Sequence, residues 1–366
     1  LAVSDLVSSA FGHSGQKCSA ASIAIVDKSV LHDSNFINQL KDATESLSTE
    51  PSWKLSSQVG PIILPPNKKL QKALHHLEKG EEWLVIPKKL DKKGYLWSPG
   101  IKIGVRPSSW SHQNEWFGPV LGVVESENLN TSIQIQNGTD YGLTAGIHSL
   151  DVEEIEKWID STQAGNLYIN RGITGAVVNR QPFGGWKNSS CGISSKAGGE
   201  NYLINFRDFE DLKDVHIAIK DSEAWLTSTG TKVTTTENLN SERNYLRYKK
   251  YQKPILVITD SSTPDSHLEY LNWLKSRLGS YVEIRQLGQS KEKFYKYERV
   301  RWLVDSQAPY GDGVEFDLRK ITQRGDIEIR RWFVEQTISI TNHRYGNINA
   351  GPKPEVKSEL ESLFHL

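Results

Sequence analysis

The sequence predicts an α/β protein made of two units, a larger one with a mainly parallel sheet and a smaller second α/β unit. Short runs rich in Ile and Val alternate with amphipathic helical segments through the first half of the 366 residues, which favours helices packed against parallel strands. A charged stretch rich in Ser and Thr interrupts this pattern at residues 208–244. Strand and helix signals resume beyond it, so we expect that stretch to be a linker or an extended surface segment.

The first unit is predicted to begin with a helix, because apolar residues recur at helical spacings from Leu1 until Gly12 interrupts them. The same criterion predicts further helices at residues 35–47, 68–83 and 152–162. Runs rich in Ile, Val and other apolar residues predict strands at 22–30, near 101–105, and at 115–126, 142–151 and 165–172. Residues 129–138 fit a short helix or a strand.

A Gly-rich polar stretch at residues 172–199 follows the last of these strands. It is too irregular for a core element and too long for a simple turn, and loops of that length are often functional. In the second unit we expect strands at 253–260, 281–288 and 300–306, a helix at 267–279, and two closing segments at 325–336 and 337–347. That unit has neither a Gly-x-Gly-x-x-Gly motif nor a Walker A lysine loop, so its pattern alone does not indicate nucleotide binding.

Composition excludes several classes of function. The 44 Lys and Arg residues balance 44 Asp and Glu residues, so net charge gives no sign of nucleic acid or an anionic membrane as partner. No apolar run approaches the roughly 20 residues of a transmembrane helix, and no secretory signal is present. Two cysteines do not make a disulfide framework, which favours a reducing, cytoplasmic location. Because the chain begins within a helical pattern and contains no Met, we expect it to be a fragment.

Cys18, in the segment GHSGQKCSAAS, is the first candidate for chemistry. Most intracellular cysteines are small buried hydrophobic residues, so base rates favour that interpretation of Cys18. The surroundings favour the alternative, since two glycines free the main chain to approach a sulfur or an oxyanion and Lys17 would favour a thiolate. Cys191 has a similar polar setting without other support.

Three further positions are open to more than one interpretation. Glu115 could bind a ribose diol, act as a base or cap a strand. Phe183, between Pro182 and a Gly pair, could stand at a pocket mouth or be a packed ring in a turn. The main-chain N–H groups around Gly175 suit a carboxylate. The histidines show no metal-ligand spacing, so no metal site is predicted.

Taken in order, these segments resemble one family. SGQKCSA (14–20) resembles the catalytic cysteine motif of the aldehyde dehydrogenase superfamily, EWFGPVL (115–121) its cofactor motif, and QPFGGWKNSSCG (181–192) its late Pro-Phe-Gly-Gly motif. The closer likeness is to the L-glutamate γ-semialdehyde (1-pyrroline-5-carboxylate) dehydrogenase module of bifunctional proline utilization A. It covers Leu1 to about Phe206 and resumes at 241–251 and 337–347.

The resemblance implies a mechanism that starts at Cys18. Its thiolate would attack the aldehyde carbon to give a thiohemiacetal, whose oxyanion its own main-chain N–H would help to hold. Hydride transfer to NAD⁺ would leave a thioester that water hydrolyses to glutamate. Glu115 would bind the nicotinamide-side ribose and Phe117 would pack near the same end of the cofactor.

The resemblance also implies a substrate site. Ser19, together with the main-chain amides of Gly175 and Ala176, would anchor the α-carboxylate of the small-molecule aldehyde, and Phe183 would pack on its aliphatic part. The family's general-base glutamate, oxyanion asparagine and most of its NAD-binding strands precede the cysteine. No Glu-Leu-Gly-Gly-like tetrapeptide occurs in this chain, so we expect the fragment alone to turn over poorly.

The resemblance sets the expected domain organisation. Residues 1–207 would be an aldehyde dehydrogenase catalytic domain, 208–244 a linker, and 245–366 a smaller Rossmann-like domain without a cofactor motif, ending in a terminal strand. A homo-oligomer is expected, and an upstream proline dehydrogenase domain, if one exists, would bring FAD. NAD⁺ and NADP⁺ are not distinguished. The alternatives are an aldehyde dehydrogenase with another substrate and a catalytically silent structural domain.

Overall fold

The computed structural model describes residues 1–190, 195–288, 293–309, 313–348 and 350–361. The chain forms two units that are each discontinuous in sequence. Unit 1 contains Leu1–Ala176, Leu239–Arg243 and Ile338–Glu355. Unit 2 contains Val177–Asn238, Asn244–Thr337 and the residues from Val356 onward. The predicted boundary near residue 207 therefore differs from the one observed, and two late segments belong to the first unit.

Unit 1 alternates helices and strands, as predicted. Its helices are α1 (Ala2–Phe11), α2 (Lys28–Leu31), α3 (Ser34–Glu45), α4 (Lys68–His75), α5 (Trp110–Gln113), α6 (Leu129–Asn137) and α7 (Val152–Ser161). Its strands are β1 (Ile23–Asp27), β2 (Glu82–Val85), β3 (Gly100–Ile103), β4 (Val120–Ser126), β5 (Tyr141–Gly142), β6 (Thr144–Ile147) and β7 (Asn166–Ile169).

The main sheet of unit 1 has the strand order β1-β4-β3-β2. β4 pairs in parallel with β1 and β3, whereas β2 pairs antiparallel to β3. β4 is almost entirely buried because its neighbours cover both edges and helices cover its faces, which explains its continuous apolar run. α1 and α3 pack on the sheet through a shared apolar core that includes Phe11, Leu40 and Leu121.

Unit 2 contains a second, all-parallel sheet. Its elements are β8 (Trp186–Lys187), α8 (Val215–Trp225), β9 (Thr234–Thr235), β10 (Glu242–Lys249), β11 (Ile255–Thr259), α9 (Asp265–Leu278), β12 (Val282–Gln286), β13 (Arg299–Trp302), β14 (Glu315–Asp317), α10 (Gly325–Arg330) and β15 (Val334–Thr341). The strand order is β12-β11-β13-β14, with parallel pairing throughout. β10 begins in unit 1 and β15 ends there. The predicted α/β class with mainly parallel sheets is confirmed.

Three element predictions need correction. The strand expected at 22–30 ends at Asp27, whose carboxylate accepts a hydrogen bond from Ser29 N and so caps α2. The helix expected at 68–83 ends at His75, because the chain turns back through Gly80, at φ +93°, into β2.

The stretch expected to be a linker at 208–244 contains α8 and the start of β10. Asp214 caps α8 by accepting hydrogen bonds from two main-chain N–H groups. Ala218 and Trp225 of this helix lie in the main apolar core of unit 2. Their spacing of seven residues places them on one helix face, which the surrounding charged residues obscured in the sequence.

Candidate active site

A strained turn precedes Cys18. α1 ends at Phe11, and His13, Ser14 and Gly15 then adopt three consecutive left-handed conformations, with φ of 53°, 57° and 67°. Such φ values are unfavourable for the first two residue types and tend to persist where the surrounding structure enforces them. Ser14 Oγ donates a hydrogen bond of 2.5 Å to the Gly60 carbonyl, which holds the turn. Cys18 follows it and is exposed to solvent. We call residues 12–20 the cysteine loop.

The cysteine loop interlocks with the EWFG segment at 115–118. A Cβ on Gly15 would collide with the carbonyl oxygen of Gly118, so only glycine allows this approach. Gln16 Nε2 donates to the Phe117 carbonyl at 3.0 Å, and its Oε1 accepts from Ile63 N at 2.9 Å. The side chain of Gln16 thus fixes one segment against the other, a role that sequence reasoning missed.

The two segments line one recess in unit 1. The cysteine loop contributes Gly15, Lys17 and Ala20 to the lining, and Ala21 and Ser22 follow that loop directly before β1. The other lining residues lie just before β4 or at its start: Glu115, Trp116, Phe117, Gly118 and Val120. The structure therefore brings the cysteine motif and the predicted cofactor residues Glu115 and Phe117 to one place. Their separation of about a hundred residues in sequence is closed by the β1–β4 pairing.

Glu115 and Phe117 point outward while Trp116 between them points into the core. Glu115 is exposed, Phe117 is 38% exposed with φ 53°, and Trp116 is 2% exposed. The Trp116 ring stacks on Trp110 with centroids 6.2 Å apart. A buried, stacked Trp116 fixes its two neighbours at the rim of the recess.

Below Trp116 lies a buried ion pair. Lys102 Nζ is 5.1 Å from the centre of the Trp116 ring and 3.6 Å from Glu81 Oε2, and both charged side chains are almost fully buried. Lys102 Nζ also donates to the His76 carbonyl at 2.6 Å. Burial lowers the pKa of Lys102, and Glu81 opposes that shift. This pair belongs to the support of the recess and not to its lining.

The predicted carboxylate anchor lies in the residues GITGA at 172–176, which we call the anchor loop. Gly175 is exposed at φ +84°, and a Cβ there would meet no atom within 4 Å. Ser19, the other predicted anchor residue, is 6% exposed. Ser9 of α1 contacts the anchor loop and the segment after Cys18 through two hydrogen bonds.

Arg171, immediately before the anchor loop, is held by late segments of the chain. Its Nη1 donates to Glu242 Oε2 and to Ser339 Oγ, each at 2.7 Å, and its guanidinium lies 5.7 Å from the centre of the Tyr168 ring. All four residues belong to unit 1. No local pattern in the sequence predicts this cluster, because Glu242 and Ser339 lie 71 and 168 residues from Arg171.

Phe183 belongs to unit 2. It is half-buried, and its main chain exchanges two hydrogen bonds of 2.9 Å with Ala197. Its predicted packing on the aliphatic part of a substrate stays a prediction.

Cys191 lies outside the described residues. In the part of the chain that the structure describes, no three His, Cys, Asp or Glu side chains group together to bind a metal ion. The described helices include none with the length and apolar character needed to cross a bilayer.

Comparison with known proteins identifies relatives of the first part of the chain. The sequence profile of the aldehyde dehydrogenase family matches residues 1–210. A 1-pyrroline-5-carboxylate dehydrogenase of Geobacillus sp. (strain WCH70) is 37% identical over 207 residues, which are 56% of this chain and 39% of that protein. One from Staphylococcus saprophyticus is 38% identical over 209 residues, with the same coverage of both chains. The chain thus spans about two fifths of the length of these curated relatives.

Two solved structures extend the comparison. Proline utilization A from Corynebacterium freiburgense superposes with a TM-score of 0.84 at 39% identity, over 94% of this chain and 38% of that one. A 1-pyrroline-5-carboxylate dehydrogenase from Thermus with bound NAD superposes with a TM-score of 0.51 at 34% identity, over 56% of this chain and 39% of that one. The first likeness therefore includes the region beyond residue 210, whereas the second covers little more than half of the chain.

Proposed function

The chain belongs to the aldehyde dehydrogenase family, and on that premise we propose that it supplies the catalytic cysteine, substrate anchor and part of the cofactor site of an NAD-dependent L-glutamate γ-semialdehyde dehydrogenase. The observation that carries the proposal is the recess in which an exposed cysteine loop interlocks with the Glu115–Phe117 segment. The names of the relatives, 1-pyrroline-5-carboxylate dehydrogenase and proline utilization A, support the choice of substrate.

In the proposed reaction Cys18 acts as the nucleophile. Its thiolate forms a C–S bond to the aldehyde carbon, and the carbonyl electron pair moves to oxygen, which the Cys18 main-chain N–H helps to stabilise. A bound NAD⁺ would supply the two-electron acceptor for the hydride of this carbon, which would leave the substrate as a thioester of Cys18. Water then attacks the Cys18 thioester, which releases the carboxylate product and returns the thiol.

The recess residues suit the cofactor's nicotinamide end. An ionised carboxylate can accept hydrogen bonds from both hydroxyls of a ribose diol, and Glu115 is exposed at the rim. The exposed ring of Phe117 offers an apolar face beside it. In the proposal Glu115 orients the ribose and Phe117 limits the positions open to the adjoining ring.

The anchor loop determines which aldehyde is bound. Gly175 in this loop is exposed at φ +84°, and consecutive N–H groups in such a conformation bind a carboxylate. Ser19 and the amides of Gly175 and Ala176 would hold the substrate's α-carboxylate, and Phe183 would contact its methylene groups.

Steady-state kinetics on the whole natural polypeptide that contains this sequence tests the proposal. NADH formation from L-glutamate γ-semialdehyde should be at least about tenfold more efficient than from butanal, since one well-made carboxylate contact is worth about that factor. Equal efficiency would favour the second candidate, an aldehyde dehydrogenase for other substrates.

Labelling with iodoacetamide addresses the third candidate, a catalytically silent domain. In a Cys191→Ser background only Cys18 can react, so the rate of labelling reports on that thiol alone. L-Glutamate, the reaction product, should slow the labelling when it occupies the anchor. Slow labelling that neither pH nor L-glutamate alters would favour the silent domain.

A further inference from the structure

Ser9 occupies an unusual position for a polar residue. It lies on the buried face of α1 beside Val7 and Ala10, and it is 3% exposed. Ser is a neutral to poor residue inside a helix, and a buried hydroxyl is normally retained for a hydrogen bond. Its neighbour Ser8, on the same helix, is exposed.

Two segments of the proposed site are bonded to this one residue. Ala21 N, three residues after Cys18, donates to the Ser9 carbonyl at 3.0 Å. Ile173 N, in the anchor loop, donates to Ser9 Oγ at 3.1 Å. The cysteine loop and the anchor loop are therefore tied to the same turn of α1, and each bond satisfies a main-chain N–H that no strand or helix uses.

The anchor loop has little room to move at this contact. A Cβ on Gly172 would lie 3.1 Å from Ser9 Oγ, which is tighter than ordinary van der Waals contact. The Ile173 side chain packs on the apolar core shared by α1 and α3, and its Cγ2 lies against Gly146. The side chain of Ile173 thus fixes the loop to the core while the Ser9 hydroxyl sets the direction of its main chain.

We propose that Ser9 is a positioning residue that sets the place of the carboxylate anchor relative to the Cys18 nucleophile. This inference rests on the proposed function. The Ser9 hydroxyl does not contact the substrate. It holds Ile173 N, and through it the main chain of Gly175 and Ala176, at the distance at which a bound α-carboxylate presents its aldehyde carbon to Cys18. Its removal should harm substrates that carry the carboxylate and spare those that lack it.

The test uses Ser9→Ala in the whole natural polypeptide, with Ser8→Ala as the matched control. Loss of one buried hydrogen bond should raise KM for L-glutamate γ-semialdehyde about five- to tenfold. The kcat/KM for butanal should change by less than about twofold. Ser8→Ala should leave both substrates and the melting temperature unchanged, because its side chain is exposed.

Gly172→Ala changes the anchor-loop side of the contact with Ser9. Its methyl group would press on Ser9 Oγ and displace the loop, so KM for the carboxylate-bearing substrate should rise in this variant too. In the double variant Ser9→Ala/Gly172→Ala the oxygen is gone and the methyl has room. The double variant should then be less impaired than the two single effects combined, which a double-mutant cycle measures. If Ser9→Ala does not fold, Gly172→Ala alone decides by the same split between substrates.

The possible outcomes distinguish failure of the proposed function from failure of the inference about Ser9. A wild-type enzyme that does not prefer L-glutamate γ-semialdehyde over butanal overturns the proposed function and this inference with it. A wild-type preference that Ser9→Ala leaves unchanged overturns the inference alone. An equal loss toward both substrates also overturns it, because that result describes general packing and not positioning of the anchor.

Discussion

The main sheet of unit 1 and the parallel sheet of unit 2 use charged and reactive side chains in opposite ways. At the recess of unit 1, Cys18 and Glu115 are exposed and glycines replace side chains where the loops meet. In unit 2, Arg299 and Arg301 of β13 are buried and ion-paired with carboxylates of β14 and α10. The first arrangement leaves functional groups available to a ligand, whereas the second satisfies them within the protein.

The buried cluster of unit 2 pairs its charges with one another. Arg301 lies 2.9 Å from Glu328 and 3.5 Å from Asp317, and its guanidinium stacks over Trp332 at 5.3 Å. Burial opposes ionisation of Asp317, but Arg301 and Arg319 outweigh it and hold the pKa of its carboxyl below the usual range. Perturbed acidity is therefore not by itself a sign of a catalytic site in this protein.

Removal of the exposed thiol should have the largest effect on activity and almost none on stability. Cys18→Ala in the whole natural polypeptide should lower kcat by about 10³-fold or more, because no other group can form the covalent intermediate. NADH formation measures the loss, and a thermal melt should show an unchanged transition. Cys191→Ser is the control that should retain turnover. Substantial activity in Cys18→Ala would end the assignment of the nucleophile.

The opposite pattern is expected for the buried cluster. Arg301→Met removes one cationic partner from each of two buried carboxylates, which should cost about 3–5 kcal/mol of unfolding free energy. Guanidinium unfolding followed by Trp fluorescence measures this. Glu115→Gln at the exposed rim should change the unfolding free energy by less than about 0.5 kcal/mol. Similar stabilities for the two variants would refute the contrast between the sheets.

Two glycines of the cysteine loop should differ in their tolerance of a methyl group. Gly15→Ala combines a left-handed φ with a collision against the Gly118 carbonyl, so it should cost at least about 1–3 kcal/mol and also lower activity. Gly12→Ala is the matched control, since its φ is −53° and no atom lies within 4 Å of its Cβ position. Melting temperature and turnover should fall in the first variant only. Equal tolerance would mean that the interlocking of loop and EWFG segment is unimportant.

The smallest expected effect is on the pH dependence of the unfolding free energy, through the buried side chain of His112. Burial lowers the pKa of His112, although the Ile135 carbonyl opposes this, and its ring accepts a hydrogen bond from Ser108 N at 3.1 Å while pairing with Ile135 O at 2.9 Å. The folded state thus binds fewer protons than the unfolded state between this lowered pKa and about 6.5. Stability from His112 should be complete above about pH 6.5 and be lost as pH falls through the lowered pKa.

The measurement is the unfolding free energy at several pH values from about 5 to 7.5, for wild type and His112→Asn. The wild type should lose more stability than the variant as the pH falls from about 6.5 toward 5, because protonation of the buried ring opposes folding. Parallel curves would show that His112 does not contribute to the pH dependence.

The sequence predicted the elements whose signal is local. α7 was predicted because Asp151 and two acidic residues open an amphipathic run. β11 was predicted because it consists of five consecutive apolar or Thr residues, all of which are buried in the structure. α8 was missed because its few core residues stand among charged ones, so composition outweighed periodicity. The end of α4 was missed because a helical pattern continues in the sequence after the chain has turned.

The candidate site likewise contains residues that the sequence predicted and residues that it did not. Cys18, Glu115 and Phe117 were proposed from motif resemblance. Glu115 and Phe117 line one recess together with residues of the cysteine loop, the loop that contains Cys18. Gln16, Ser9 and Arg171 could not be proposed, because each has a side-chain contact with a segment at least 47 residues away. A Ser on the buried face of α1 was the one available signal, since it contradicts the apolar pattern around it.

The cluster at Arg171 has a consequence for the order in which this protein can be made. The partners of Arg171 follow it by 71 and 168 residues, so the second contact requires synthesis of 168 residues beyond Arg171. At translation rates of about 5–20 residues per second, that delay is roughly 8–34 s. During it the ribosome carries a nascent chain whose Cys18 is synthesised and whose anchor loop is not yet fastened on this side. Of the described strands, β15 is synthesised last, and it supplies Ser339 to unit 1, so this cluster can form only after β15 has been made.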